Sequence, residues 1–90
     1  MADVSENPAT RRFEMVEDGQ VVFADFRRDG ERLIIDHVEA PPALRGTGAA
    51  GRFMEGLVEL ARRQNARIVP ICGYAAAWLR RHPNEAHDVT

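Results

Sequence analysis

From Arg11 onward apolar and polar residues alternate, and the alternation is interrupted by two Asp-Gly pairs. Phe13 and Met15 have charged neighbours and are followed by Asp18-Gly19. Val21 to Phe26 lead to Asp29-Gly30, and Leu33 to Val38 make a third run. A period of two marks a strand, and Asp-Gly supplies the positive φ that tight hairpin turns need. Residues 11–39 are therefore expected to form a three-stranded antiparallel meander. Residues 1–10 hold a proline and show no period. They are expected to be a loose arm ahead of a single domain over 11–90.

Glu39-Ala40-Pro41-Pro42 ends the sheet, because proline cannot donate to a ladder. The period then changes. Ala50, Phe53, Met54, Leu57, Val58 and Ala61 fall on one stripe at helical spacing, with Arg52, Glu55, Glu59, Arg62 and Arg63 mostly off it. The pattern predicts a helix that opens near Gly48 and stops at Asn65, a residue that tolerates the left-handed conformation. Ile68 to Cys72 read as a short buried strand, at an edge or distorted because of Pro70. Tyr74 to Arg81 predict a second helix, closed by His82-Pro83.

Third strand, long helix and fourth strand make a βαβ unit, so those two strands should be parallel neighbours joined by a right-handed crossover. The expected fold class is α/β with a mixed sheet. Leu33 and Ile35 are expected to face one side of the third strand, Ile34 and Val38 the other, with both faces covered. His37 and Glu39 come at the carboxyl end of that strand, where open α/β sheets place their ligands.

Composition narrows the function classes. The chain has 90 residues, one cysteine, and 12 basic against 14 acidic residues, for a net charge of −2. This balance gives no bulk attraction to nucleic acid, and no partner of that kind is expected. No apolar run approaches the roughly 20 residues of a membrane span, and the N-terminus has no leader pattern. A lone cysteine cannot form an internal disulfide. These features lead us to expect a soluble, cytoplasmic monomer with no metal site.

The candidate chemistry lies in Arg45-Gly46-Thr47-Gly48-Ala49-Ala50-Gly51, between a strand and a helix. Small residues let backbone N–H groups approach an anion, and a helix N-terminus adds its dipole. A nucleotide-binding P-loop would need a lysine, and the chain has none. A dinucleotide fingerprint matches Gly46, Gly48 and Gly51. It fails on context, because Pro41-Pro42-Ala43-Leu44 intervene after the strand and the next strand offers Ile71-Cys72-Gly73 in place of an acidic residue. The acetyl-CoA loop pattern Gln/Arg-x-x-Gly-x-Gly/Ala fits at Arg45, Gly48 and Ala50.

The segment Asp36-His37-Val38-Glu39-Ala40-Pro41-Pro42-Ala43-Leu44-Arg45-Gly46-Thr47-Gly48 resembles the core of the GNAT N-acetyltransferases. Ile68-Val69-Pro70-Ile71-Cys72, Arg80-Arg81-His82-Pro83 and Arg12-Phe13-Glu14 with Gly19 extend the resemblance to the small YidJ-like, "N-acetyltransferase domain-containing" group, over roughly residues 7–88. The strand reads His37-Val38-Glu39 where His-Thr-Glu is expected of the group.

The resemblance implies a minimal GNAT-like fold and acetyl-CoA (coenzyme A) as cofactor. Its pantetheine arm would lie between the splayed third and fourth strands of the meander-plus-βαβ sheet. It implies transfer of the acetyl group to an amine, on a small molecule or a protein. The alternative is a non-catalytic CoA- or acyl-CoA-binding module. Cofactor contacts are expected from Val38 on the strand, from Arg45, Gly46, Thr47, Gly48, Ala49 and Ala50 in the loop, and from Cys72, Tyr74 and Arg80. Thr47 and Ala49 would contribute backbone N–H groups only. His37 is the candidate general base, with Glu39 beside it. Cys72 ends a strand and begins a helix, where the dipole favours a thiolate, and the resemblance places it beside the thioester, to line that pocket or to act as a nucleophile.

Overall fold

The computed structural model describes residues 3–83. Five strands form one sheet in the order β1 (Ser5–Asn7), β2 (Arg12–Glu17), β3 (Gln20–Asp29), β4 (Arg32–Glu39) and β5 (Arg67–Pro70). A short 3-10 turn at Pro42–Leu44 leads into α1 (Ala49–Arg63), and α2 (Gly73–Arg81) follows β5. The first four strands pair antiparallel in sequence order, and β5 adds parallel to β4. This is the expected α/β architecture with its parallel βαβ unit.

The arm expected to be loose carries the edge strand β1, and Val4 before it is buried in the core. A turn centred on Asn7 explains why. The Arg11 N–H donates to Asn7 O, the Ala9 N–H to Asn7 Oδ1, and the Thr10 hydroxyl reaches both Asn7 O and Glu14 Oε2. A local asparagine turn of this kind leaves no hydrophobic period in the sequence.

Both hairpins form at their Asp-Gly pairs, but with different backbones. Asp18 and Gly19 both take positive φ (51° and 73°) between paired Glu17 and Gln20, as a type I′ turn requires. The second loop is Gly30-Glu31 between paired Asp29 and Arg32, and there only Gly30 is positive (φ 60°), the type II′ requirement.

The core lies between one face of the sheet and the two helices. Phe13, Met15, Val22, Ala24, Leu33, Ile35 and Ile68 project from the sheet onto Phe53, Met54, Leu57, Val58 and Ala61 of α1 and Ala75, Trp78 and Leu79 of α2. Phe26 stacks on Phe13 with ring centroids 4.0 Å apart. Asn65 stops α1 in the left-handed region (φ 54°), as expected. Pro70 is the last residue of β5, an edge strand, in keeping with its missing N–H.

One expectation about β4 is corrected. Val38 packs against the core on the same side as Leu33 and Ile35, not opposite them. The cause is a β-bulge. Phe26 pairs with Ile35 and Asp25 with His37, so Asp36 is an extra residue and the inward parity changes from odd to even across it. Arg27 holds the bulged residue through two 2.8 Å hydrogen bonds to the Asp36 carboxylate.

Candidate active site

Three parts of the chain meet at the carboxyl end of β4. The first is the strand itself. Pairing with β5 ends at Ile35 and Pro70, while pairing with β3 continues to Glu39. The N–H groups of Ile71 and Cys72 both converge on Ile35 O, each at 3.0 Å, and there the chain leaves the sheet. Among the described residues, 36–39 of β4 therefore have no strand partner on that edge. Proline contributes to this parting, since Pro70 has no N–H with which to extend the ladder.

The second part is the turn and loop into α1. Pro41 and Pro42 start the 3-10 turn, in which the Leu44 N–H donates to Pro41 O. Gly46 (φ 79°) and Gly48 (φ 85°) are both left-handed, the conformation that glycine enters without a side-chain penalty. Gly48 is the N-cap of α1, and the first bond into the helix runs from the Arg52 N–H to Gly48 O.

The accounting of N–H groups in this loop separates its residues. Arg45 donates to Pro42 O, Thr47 to Leu44 O, and Ala49 to Thr47 Oγ1. The N–H groups of Gly46, Gly48, Ala50 and Gly51 meet no acceptor among the described residues. The structure thus employs inside the loop the N–H groups of Thr47 and Ala49, two of the expected donors to a ligand. Gly51 takes their place among the open donors. Thr47 instead braces the turn, its hydroxyl donating to Leu44 O at 2.6 Å. The Ala49 side chain is buried, while Arg45 is exposed.

Arg52 fixes the loop from the other side. Its guanidinium donates to Thr47 O at 3.1 Å and forms a two-pronged contact with Glu17, at 2.8 and 2.6 Å. That pairing holds the Glu17 carboxyl below its usual range and raises Arg52. The β2–β3 hairpin is thereby tied to the start of α1.

The third part is the β5–α2 junction. Cys72 is the N-cap of α2, a free thiol, partly buried against the core. Through its N–H it is one hydrogen bond from Ile35. Tyr74 lies in the first turn of α2, about a third exposed, and burial pushes its phenol up, which keeps the hydroxyl protonated at neutral pH. Arg80 is exposed in the last turn of the same helix.

His37 and Glu39 do form a pair, with His37 Nε2 3.0 Å from Glu39 Oε1 and both side chains about half exposed. A carboxylate only accepts, so Nε2 carries the proton and Nδ1 of a neutral ring is the free acceptor. Glu39 thus orients His37 and sets its tautomer. The imidazole sits 6.4 Å from the Phe23 ring on the sheet face away from α1, and Phe23 in turn carries the Arg12 guanidinium at 3.9 Å. Sequence reasoning misses this aromatic neighbour, because cross-strand partners depend on register. It also misses the bulge, although the adjacent polar residues Asp36-His37 break the alternation and signal it. No group of three or more potential metal ligands occurs among the described residues.

A five-stranded sheet that parts beside a glycine-capped helix defines a fold class, and comparison with known proteins agrees with it. The family model for GCN5-related N-acetyltransferases matches residues 12–89, and the chain belongs to that family. It is accordingly an acetyltransferase. The fold is similar to the NMR solution structure of a GCN5-like protein from Staphylococcus aureus, at 20% identity and a TM-score of 0.72, covering 98% of this chain and 87% of that one. No curated protein matches significantly.

Proposed function

We propose that the protein transfers the acetyl group of acetyl-CoA to an amine, at the gap between β4 and β5. The observation that carries the reading is the conjunction of a β4 edge that is open over residues 36–39, and N–H groups of Gly46, Gly48, Ala50 and Gly51 that are open, among the described residues. The donors fit a pyrophosphate, since left-handed glycines and a helix N-terminus together form an anion cradle. The strand edge fits the amide-bearing pantetheine, which can pair with it as another strand would. Arg45 of the loop and Arg80 of α2 are exposed cations, and Cys72 and Tyr74 stand at the start of α2, next to the parting of β5 from β4.

Acetyl-CoA would supply a thioester-activated acetyl group: the C–N bond to the amine would form, the C–S bond break, and coenzyme A leave as the thiol, its sulfur taking up the second proton that the amine nitrogen gives up. The amine must be neutral to attack. His37 receives its proton at Nδ1, directly or through one water, while Glu39 holds Nε2–H and stabilises the charged ring. Backbone N–H groups of β4 beyond the bulge, near Val38, donate to the carbonyl oxygen as its negative charge grows.

The test has two steps. Backbone amide shifts on titration with acetyl-CoA should localise to residues 36–39 and 45–51, with a micromolar Kd. An acceptor panel of small amines and lysine peptides should then show turnover. Gly48→Val should lose binding, because a branched residue resists φ near 85° and its Cβ would stand 3.1 Å from the Arg52 guanidinium. Unmoved amides in 45–51 at saturating ligand would overturn the reading. Binding without turnover across the panel would mark a CoA-binding module instead.

A further inference from the structure

We propose that the indole N–H of Trp78 is a further donor to the bound pyrophosphate, and that residue 51 is glycine so that this donor can reach the mouth of the cradle. The inference rests on the acetyl-CoA reading and adds a binding residue to that same site.

Trp78 is 4% exposed, in the middle of α2. Its Nε1 lies 3.5 Å from where a Cβ on Gly51 would stand, so the polar edge of the ring is aimed at the first turn of α1. No acceptor for this N–H occurs among the described residues. A buried indole normally finds a partner, because leaving a donor unmade inside a protein costs free energy. Every fully buried side-chain nitrogen and oxygen among the described residues has a partner, without exception. The indole N–H has no such partner, so Nε1 is not fully enclosed and keeps an opening to the surface beside Gly51, at the stretch of open N–H groups.

The ring is also held in place. His82 stacks on it with centroids 3.9 Å apart and planes 13° from parallel. His82 Nδ1 is 2.7 Å from Trp78 O, and since a carbonyl only accepts, Nδ1 carries the proton. Both contacts restrict the indole to one orientation. A preorganised neutral donor of this kind binds an anion without the entropy loss of ordering an arginine. Gly51 follows from the same geometry. It lies on the face of α1 that meets α2, in the first turn of the helix, where alanine would otherwise be the better helix former.

Trp78 is the only tryptophan, so one indole N–H resonance reports on the site. In the intact chain, that resonance should move on saturation with CoA and with dephospho-CoA, which keep the pyrophosphate, and stay in place with pantetheine, which lacks it. Trp78→Phe should weaken CoA binding about tenfold, the expected loss of one hydrogen bond to a charged group. Gly51→Ala guards against a folding artefact. Its methyl would make ordinary contact with Nε1, so the variant should fold at least as stably, yet bind CoA more weakly and lose the indole shift. If the amides of residues 45–51 move with CoA while the indole does not, the inference is overturned and the acetyl-CoA reading stands. The inference fails in the same way if Trp78→Phe and Gly51→Ala bind CoA as tightly as the parent. If neither the amides nor the indole respond to CoA, both are overturned.

Discussion

At the scale of single residues, His37 and Cys72 are the two candidates for direct chemistry, and they differ in what the structure provides. His37 has a partner that sets its tautomer, Glu39, and its Nδ1 meets no partner among the described residues. Removing the base should lower the acetyl transfer rate by about 10²-fold or more, with the smallest deficit at high pH, where amines lose their proton unaided. The Cys72 thiol meets no base among the described residues. Its N–H and carbonyl are engaged in backbone contacts with Ile35 and Ala76, and its side chain packs on the core. Cys72→Ala should therefore keep much of the rate. The decisive measurement is the intact mass after acetyl-CoA is added alone. A stoichiometric adduct on the parent, absent from Cys72→Ala and discharged by an amine, would make Cys72 a covalent nucleophile.

At the scale of elements, the site depends on how the β2–β3 hairpin, the loop and α1 are fastened. The Glu17–Arg52 contact bridges 35 positions in the chain, and Arg52 also reaches Thr47 O. Because the folded state holds Glu17 below its ordinary value of 4.5, the contact stabilises the fold above that pH. The contribution is lost as pH falls through the lower, folded value. Glu17→Gln should thus melt below the parent at pH 7 by a small margin, typical of an exposed pair, and the two melting curves should converge in acid. A gap that persists in strong acid, where both carboxyl and amide are neutral, would show that Glu17 acts through packing instead. Asp36, held low by Arg27 on the bulge, follows the same sign.

For the whole molecule, one small core serves both stability and site geometry. Phe53 is fully buried among residues of the sheet and of α2. Phe53→Ala should cost about 3–5 kcal/mol, a large share of the roughly 5–15 kcal/mol typical of a domain. In a chain of this length each kcal/mol moves Tm by about 4–8 °C, so a fall of roughly 12 °C or more is expected in calorimetry. Weakened acetyl-CoA binding should accompany it even below the transition, because the proposed cradle includes the first turn of α1. A variant that melts near the parent would show that the helix is anchored elsewhere.

Local information along the chain is enough for most of the architecture. Period two marks β2 to β4, period 3.6 marks α1, Asp-Gly pairs mark the hairpins, and glycines next to a predicted helix start mark the left-handed loop into α1, each through interactions within a few residues. What depends on partners distant in sequence is not legible in this way. Strand β1 exists because Asn7 closes a turn onto β2. The bulge at Asp36 turns Val38 inward, and it is registered only against Asp25 and Phe26 of β3. The parting of β4 from β5 is settled where Ile35 receives the N–H groups of Ile71 and Cys72, on the far side of α1 in the chain. Which loop amides remain open, and which indole edge stands beside them, follows from the packing of α2 on α1, since a hydrogen-bond donor is free or engaged only once every neighbour has its place.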